Sequence, residues 1–184
     1  MTESSEIPTP TGKPALAGIP ADGAGLRAAF AHFPSGVVAV CAEIDGIPHG
    51  LAVSTFVPVS LDPPLVSFCV QNSSATWPRL SGAEHLGLSL LGAQQQQAAR
   101  SLSARTGDRF QDLALHRGAG PSVFVDGATA WLEGSIETQV PAGDHHVVIL
   151  RVHRVATRSE VEPLVFHGSR FRRLHSDPPE ALSA

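Results

Sequence analysis

Over most of the chain apolar residues recur with period two, the mark of half-buried strands. The clearest run is 128–140, where Ala130, Leu132, Ile136 and Val140 point one way and Glu133, Ser135, Glu137 and Gln139 the other. Trp131 falls on the polar side of that strand, and another subunit is expected to cover it. Residues 146–156 (HVVILRVHRVA) are apolar on both faces, which predicts a strand that is central or at an interface. Shorter strands are predicted at 37–44, about 49–57, 65–70 and 86–91, with one or two more at 164–174. Asp45-Gly46 supplies a turn after the first of these. Helical spacing occurs twice. Leu26, Ala29, Phe30 and Phe33 share one face of a short opening helix stopped by Pro34 and Gly36. Residues 93–103 (AQQQQAARSLS) hold good helix formers and no β-branched residue. DRFQDLAL, residues 108–115, reads as a loop with room for one helical turn.

About seven strands and two or three short helices predict a mainly β fold, a closed antiparallel β-barrel. The strand–helix alternation of a doubly wound parallel sheet is missing. No G-x-G-x-x-G follows a strand, so a nicotinamide cofactor would have to bind without a Rossmann domain. The length of 184 residues suits one domain. It is expected over 25–175, between an N-terminal arm (1–24) rich in Pro, Ser, Thr and Gly and a C-terminal tail (176–184).

Composition narrows the classes. At 42% hydrophobic and 16% charged, the chain can bury a core, which excludes wholesale disorder. A net charge of -4 argues against a general nucleic-acid surface. It leaves room for a local basic pocket, either from Arg100, Arg105, Arg109 and Arg117 or from Arg170, Arg172 and Arg173. Cys41 and Cys69 lie in apolar runs and form no C-x-x-C or Cys/His pattern, so they read as small hydrophobes in a reducing compartment. The nine histidines show no metal-ligand spacing, and no metal is expected. The start lacks the regions of a signal peptide, and no apolar run nears the ~18 residues that would span a membrane. The expectation is a cytoplasmic protein.

Candidate chemistry concentrates between His49 and Thr76. Gly50 to Phe56 put small and hydroxylated residues on a strand, where a flat ring could approach free main-chain N–H groups. Ser60-Leu61-Asp62-Pro63-Pro64 is stiff, because each proline fixes its own φ and extends the residue before it. It reads either as a rigid ligand loop or as a plain strand-to-strand turn. Thr76 suits an N-cap, with Pro78 in the first helical turn. Ser73, Ser74 and Thr76 would present donors to an anion, with Arg109 as charged partner, unless the segment is only a capped helix. Asp144-His145 follows a turn glycine. A histidine oriented by a carboxylate can position a substrate or move a proton, or it can be an exposed turn residue.

Taken in order, these segments resemble the flavin reductase-like family with the FMN-binding split-barrel fold, an antiparallel Greek-key barrel. The resemblance rests on F-P-S-G-V-V (33–38), H-G-L-A-V-S-T-F (49–56), V-S-L-D-P-P (59–64), N-S-S-A-T (72–76), D-R-F (108–110), G-D-H (143–145) and P-L-V-F-H-G-S-R-F (163–171). It implies an NAD(P)H:flavin oxidoreductase using FMN or FAD, with NADH or NADPH as co-substrate. Val53, Ser54 and Thr55 would meet the ring and ribityl chain, and Ser60, Leu61 and Asp62 would wrap the ring edge or the ribityl. Ser73, Ser74 and Thr76 would hold the phosphate, with Arg109 near phosphate or nicotinamide. His145 would serve on the nicotinamide side, and Phe171 matches a position near the site that is usually aromatic. The family further implies a homodimer with flavin sites by the subunit interface, and a flavin-dependent monooxygenase as partner. The sequence departs from the family at Ala52, where threonine is common, at Pro58 and Ser89, and in having no tyrosine. Two rivals remain: a flavin- or haem-binding protein without turnover on the same fold, and an oxidase of the pyridoxamine-phosphate type. The second would need Arg170, Arg172 and Arg173 as a substrate-phosphate site.

Overall fold

A computed structural model describes residues 16, 18, 19, 23–118 and 120–174. The expected arm up to residue 15 and the tail at 176–184 lie outside the described residues. No helix among the described residues is long and apolar enough to cross a membrane.

The chain order is α1 (Ala24–Phe30), β1 (Ser35–Gly36), β2 (Val38–Ile44), β3 (Ile47–Val53), β4 (Val57–Leu61), β5 (Pro64–Gln71) and α2 (Trp77–Leu80). Then follow β6 (Leu86–Leu90), α3 (Gln96–Ser103), β7 (Leu115–Arg117), β8 (Val123–Val125), β9 (Ala130–Ala142), β10 (His145–Thr157), β11 (Val165–His167) and β12 (Arg170–Arg172). The main sheet has seven antiparallel strands in the order β3-β2-β6-β9-β10-β5-β4. Three of its connections are tight hairpins whose residues suit them. Asp45-Gly46 has positive φ at both central positions, and Gly143 has positive φ ahead of Asp144. Asp62-Pro63 joins β4 to β5.

The sheet curls without closing. β3 and β4 are its edges, and the end of β3 reaches β5 through Thr55. The Thr55 hydroxyl accepts a hydrogen bond from Cys69 N–H (2.8 Å) and donates one to Cys69 C=O (3.2 Å). Alternation sorts β2 and β6 between two cores. Val38, Val40, Leu86 and Leu88 join Phe68, Val148 and Leu150 inside the curl. Ala39 and Cys41 turn outward to α3, β8 and Leu164.

Several expectations change. Trp131 is half-buried by its own chain. β7 and β8, a hairpin the periodicity did not predict, stack His116 (4.9 Å) and Phe124 (5.2 Å) on its ring. Its Nε1–H donates to Val125 C=O. The same cover buries Glu133, expected on the polar side, which faces Arg154 at 3.7 Å. The loop expected at 108–115 contains turns and the start of β7. The strand predicted to reach Val57 ends at Val53, and Val57 opens β4 instead.

Candidate functional site

The curl leaves a cleft of about 540 Å³ where the edge of β3 faces the far end of β5. In the β2–β3 hairpin Ile44 pairs with Ile47 across a two-residue turn, which fixes the alternation of the ladder. Gly50 and Ala52 therefore turn their main-chain N–H and C=O groups away from β2, toward the open edge. Gly50 demonstrates this, since its C=O accepts a bond from Arg109 Nη1 at 3.0 Å. Ala52 is the next such residue, and among the described residues no strand pairs with its outer side.

Ser73, Ser74, Ala75, Arg105 and Arg109 line the cleft. The D-R-F segment positions Arg109 locally: the Asp108 carboxylate accepts Phe110 N–H at 2.9 Å, closing a turn. Phe110 then packs over Gly50, where any Cβ would come within 2.8 Å of the ring. Arg109 Nη1 also donates to Thr76 Oγ1 at 2.6 Å, so one guanidinium ties the β3 edge to the start of α2. Thr76 sits at the N-cap as expected, but its hydroxyl makes no cap bond. Ser74 Oγ accepts Trp77 N–H instead, at 3.2 Å. α2 is a single turn, so donors for an anion here are the hydroxyls of Ser73, Ser74 and Thr76 and the arginines.

His145 lines the cleft from the start of β10. Its Nδ1 lies 2.7 Å from Asp144 Oδ1, which leaves Nε2 as the free ring atom. The hydrogen bond to His145, and then the histidine's charge, hold the Asp144 carboxyl below its ordinary pKa. Asn72 clamps the turn, with its N–H to Asp144 C=O (3.0 Å) and Nδ2–H to Gly143 C=O (3.2 Å).

Val53, Ser54, Thr55, Ser73, Ser74, Arg109 and His145 thus meet in one cleft, and Thr76 touches it through Arg109. Thr55 has its hydroxyl committed to Cys69. Phe171 lies beside the cleft, in a neck it shares with Val53 and Ser54. Ser60, Leu61 and Asp62 do not join them. They sit at the β4–β5 hairpin, five residues along β5 from Cys69, about 17 Å away at strand rise. Sequence reasoning missed Cys69, Gln71 and Ser103 as cleft residues. Arg105 was visible in the arginine grouping, which the fold divides. Arg117 pairs with Glu43, and Arg100 flanks Phe171. The C-terminal arginines are divided too, since Arg173 bonds Gln94 while Arg170 lines a separate groove. That removes the basic cluster on which the pyridoxamine-phosphate reading depended.

The two cysteines differ sharply. Burial pushes the Cys41 thiol up to about 12, whereas Cys69 is half-buried on the cleft wall. Native protein treated with iodoacetamide near neutral pH is expected to carry one adduct, on Cys69, with Cys41 labelled only after unfolding. Peptide mass spectrometry checks this. Slower labelling of Cys69 on addition of FMN would map the cleft.

An antiparallel sheet split beside a cleft of open strand edge, hydroxyls, arginines and an oriented histidine defines a binder of a flat, anionic cofactor. The chain belongs to the flavin reductase like domain family, whose model matches residues 30–175. An NADH:FMN oxidoreductase of Rhodococcus erythropolis is 34% identical over 153 residues, covering 80% of this chain and 79% of that protein. The NADH:FAD oxidoreductase of Streptomyces globisporus C-1027, solved in complex with NAD and FAD fragments, superposes with a TM-score of 0.82 at 32% identity, over 91% of this chain and 99% of the other. The styrene monooxygenase flavin reductase of Pseudomonas putida S12 superposes with a TM-score of 0.74 at 33% identity, over 83% and 98%.

Proposed function

We propose that this protein is an NAD(P)H-dependent flavin reductase that supplies reduced flavin to a partner monooxygenase. The observation that carries the reading is the unpaired main chain of Ala52, facing a cleft with a cationic, hydroxyl-rich lining. A flavin fits it. Ala52 and Ser54 let a flat ring approach the strand edge, where the Ala52 N–H can bond a ring carbonyl or nitrogen. Ser73 and Ser74, backed by Arg105 and Arg109, suit the phosphate. Bound there, the flavin supplies the hydride acceptor for a dihydronicotinamide, and the chain contributes placement. His145 Nε2 can hold the nicotinamide or move a proton, its ring fixed by Asp144. The family's reductases act with FMN or with FAD, and the same main-chain edge serves the ring of either.

The active form is proposed to be a homodimer in the cytoplasm. Edge strand β4 exposes Val57, Val59 and Leu61, and Phe30 and Phe33 are exposed on the opening segment. Such an apolar, unpaired edge is normally covered. Joining two copies there would bring Ser60, Leu61 and Asp62 to the subunit junction, which is how they could still reach a flavin. Both cysteines are free, as suits a reducing compartment.

Steady-state oxidation of NADH and NADPH with FMN, FAD and riboflavin in turn tests the activity. Flavin that keeps its visible absorbance when mixed anaerobically with protein and excess NADH would instead identify a storage protein. His145→Ala is expected to raise KM for the nicotinamide about 10-fold while changing the flavin Kd less than twofold, the loss of one good hydrogen bond to one substrate. The reverse pattern would remove His145 from this role.

A further inference from the structure

The turn that carries His145 is held from outside its own hairpin. Residues 137–142, the end of β9, are exposed, and the first buried residue of β10 is Val148. Core packing therefore fixes neither strand of the ribbon at its tip. The Asp144 carboxylate orients the imidazole, with Oδ1 at 2.7 Å from Nδ1, but Asp144 rides on the same turn. It sets the ring relative to the turn and leaves open where the turn stands over the cleft. The β10–β5 ladder reaches its last pair at His145 and Gln71. One residue further, Asn72 holds both turn carbonyls. Its N–H donates to Asp144 C=O at 3.0 Å, and its Nδ2–H to Gly143 C=O at 3.2 Å.

Asn72 can hold the turn because the segment behind it is itself fixed. Ser74 N–H closes a turn onto Gln71 C=O at 3.0 Å, and Ser74 Oγ accepts Trp77 N–H at 3.2 Å. Trp77 is buried and meets Phe68 edge to face, with ring centroids 5.5 Å apart. Its indole N–H donates to Gln139 Oε1 at 2.9 Å, which pins the ribbon lower down. We propose that Asn72 is a positioning residue for His145: by holding Gly143 and Asp144 it keeps the free Nε2 of the histidine over the nicotinamide side of the cleft. The inference rests on the flavin reading of the cleft and on the role given there to His145. Without the side-chain bond the hairpin stays formed, since its ladder and the main-chain bond to Asp144 remain, but its tip can pivot.

Asn72→Ala makes that cut. Asn72 is exposed, so the variant should fold, with Tm within about 2 °C of wild type. With saturating FMN, KM for NADH should rise about fivefold, the scale of one neutral hydrogen bond, while the FMN Kd changes less than twofold. In a His145→Ala background the same substitution should move KM less than about 1.5-fold, because the group it positions is gone. Asn72→Ser, whose hydroxyl stops one atom short of the Nδ2 position, should repeat both results and serves if alanine disturbs folding. Equal rises in KM in the two backgrounds would overturn the proposal, since Asn72 would then act without His145. So would KM within about 1.5-fold of wild type in both variants, or an FMN Kd that rises in step with KM, which would assign Asn72 to the flavin. Failure of the readings beneath it looks different. Wild-type protein that neither quenches flavin fluorescence nor oxidises NADH would end the cleft reading, and His145→Ala with wild-type KM would end the role of the histidine. Either result removes the proposal with it.

Discussion

Gly87→Ala is expected to destabilise the fold strongly. β6 is an interior strand hydrogen-bonded to β2 on one side and β9 on the other, so it cannot shift alone. Its Leu86 and Leu88 point into the inner core, which aims Gly87 and Ser89 at β8 crossing the outer face. β8 is held there by Val125 N–H donating to Ser89 Oγ at 2.9 Å. A Cβ at residue 87 would lie 2.2 Å from Val123 C=O and 2.8 Å from its carbonyl carbon, both backbone. No rotamer relieves that contact; β8 must lift. The cost should reach or pass the upper end of the about 1–3 kcal/mol typical of overpacking. At about 2–4 °C per kcal/mol for a domain of this size, Tm should fall by about 6–12 °C, and β8 would carry its cover off Trp131. Gly36→Ala, where an added Cβ meets nothing within 4 Å, is the control and should leave Tm within about 2 °C. Thermal unfolding followed by circular dichroism measures both, and equal Tm values for the two variants would refute the argument.

Gly87 also illustrates what the sequence could and could not convey. The long strands β9 and β10, and β2 with its Asp-Gly turn, announce themselves because period-two burial is a local property and their turns need particular residues. β7 and β8 do not. Each has three residues, too few for a period, and what holds them is the space above Gly87 and Ser89, set by a strand some 35 residues earlier. Missing that hairpin led to a subunit being expected over Trp131 and to Glu133 being placed in solvent. β4 goes unread because the preceding strand is run on to Val57 and Ser60 to Pro64 is taken as a stiff segment, yet an edge strand tolerates a proline such as Pro58. Within the site, Ser73, Ser74 and Thr76 are legible because they are contiguous. Cys69, Ser103 and Arg105 are brought to the same cleft only by the curl of the sheet. The role of Thr55 could not be assigned from sequence for the same reason. Its partner is the backbone of Cys69, fourteen residues on.

Arg109→Met is expected to weaken FMN roughly 10- to 100-fold while the protein stays folded. Methionine approximates the length of the aliphatic stem but donates nothing. Two bonds vanish together, to Gly50 C=O at 3.0 Å and to Thr76 Oγ1 at 2.6 Å, and with them the link between the β3 edge and the start of α2. A charge-assisted bond from the guanidinium to the phosphate would contribute about 1.5–3 kcal/mol, and 1.4 kcal/mol is tenfold in affinity. The Thr76 hydroxyl accepts from Arg109 and so keeps its own proton for a ligand; without Arg109 that orientation is lost as well as the positive charge. The phosphate should feel both losses and the ring only the slackened strand, so riboflavin should weaken less than threefold. Arg109→Lys separates the causes. It restores charge but cannot span both partners, and should recover part of the FMN affinity. Fluorescence titrations of FMN and riboflavin against the three proteins give the comparison, with Tm as the check on folding. If FMN and riboflavin weaken equally in Arg109→Met, the phosphate lies elsewhere and Arg109 serves the strand edge alone.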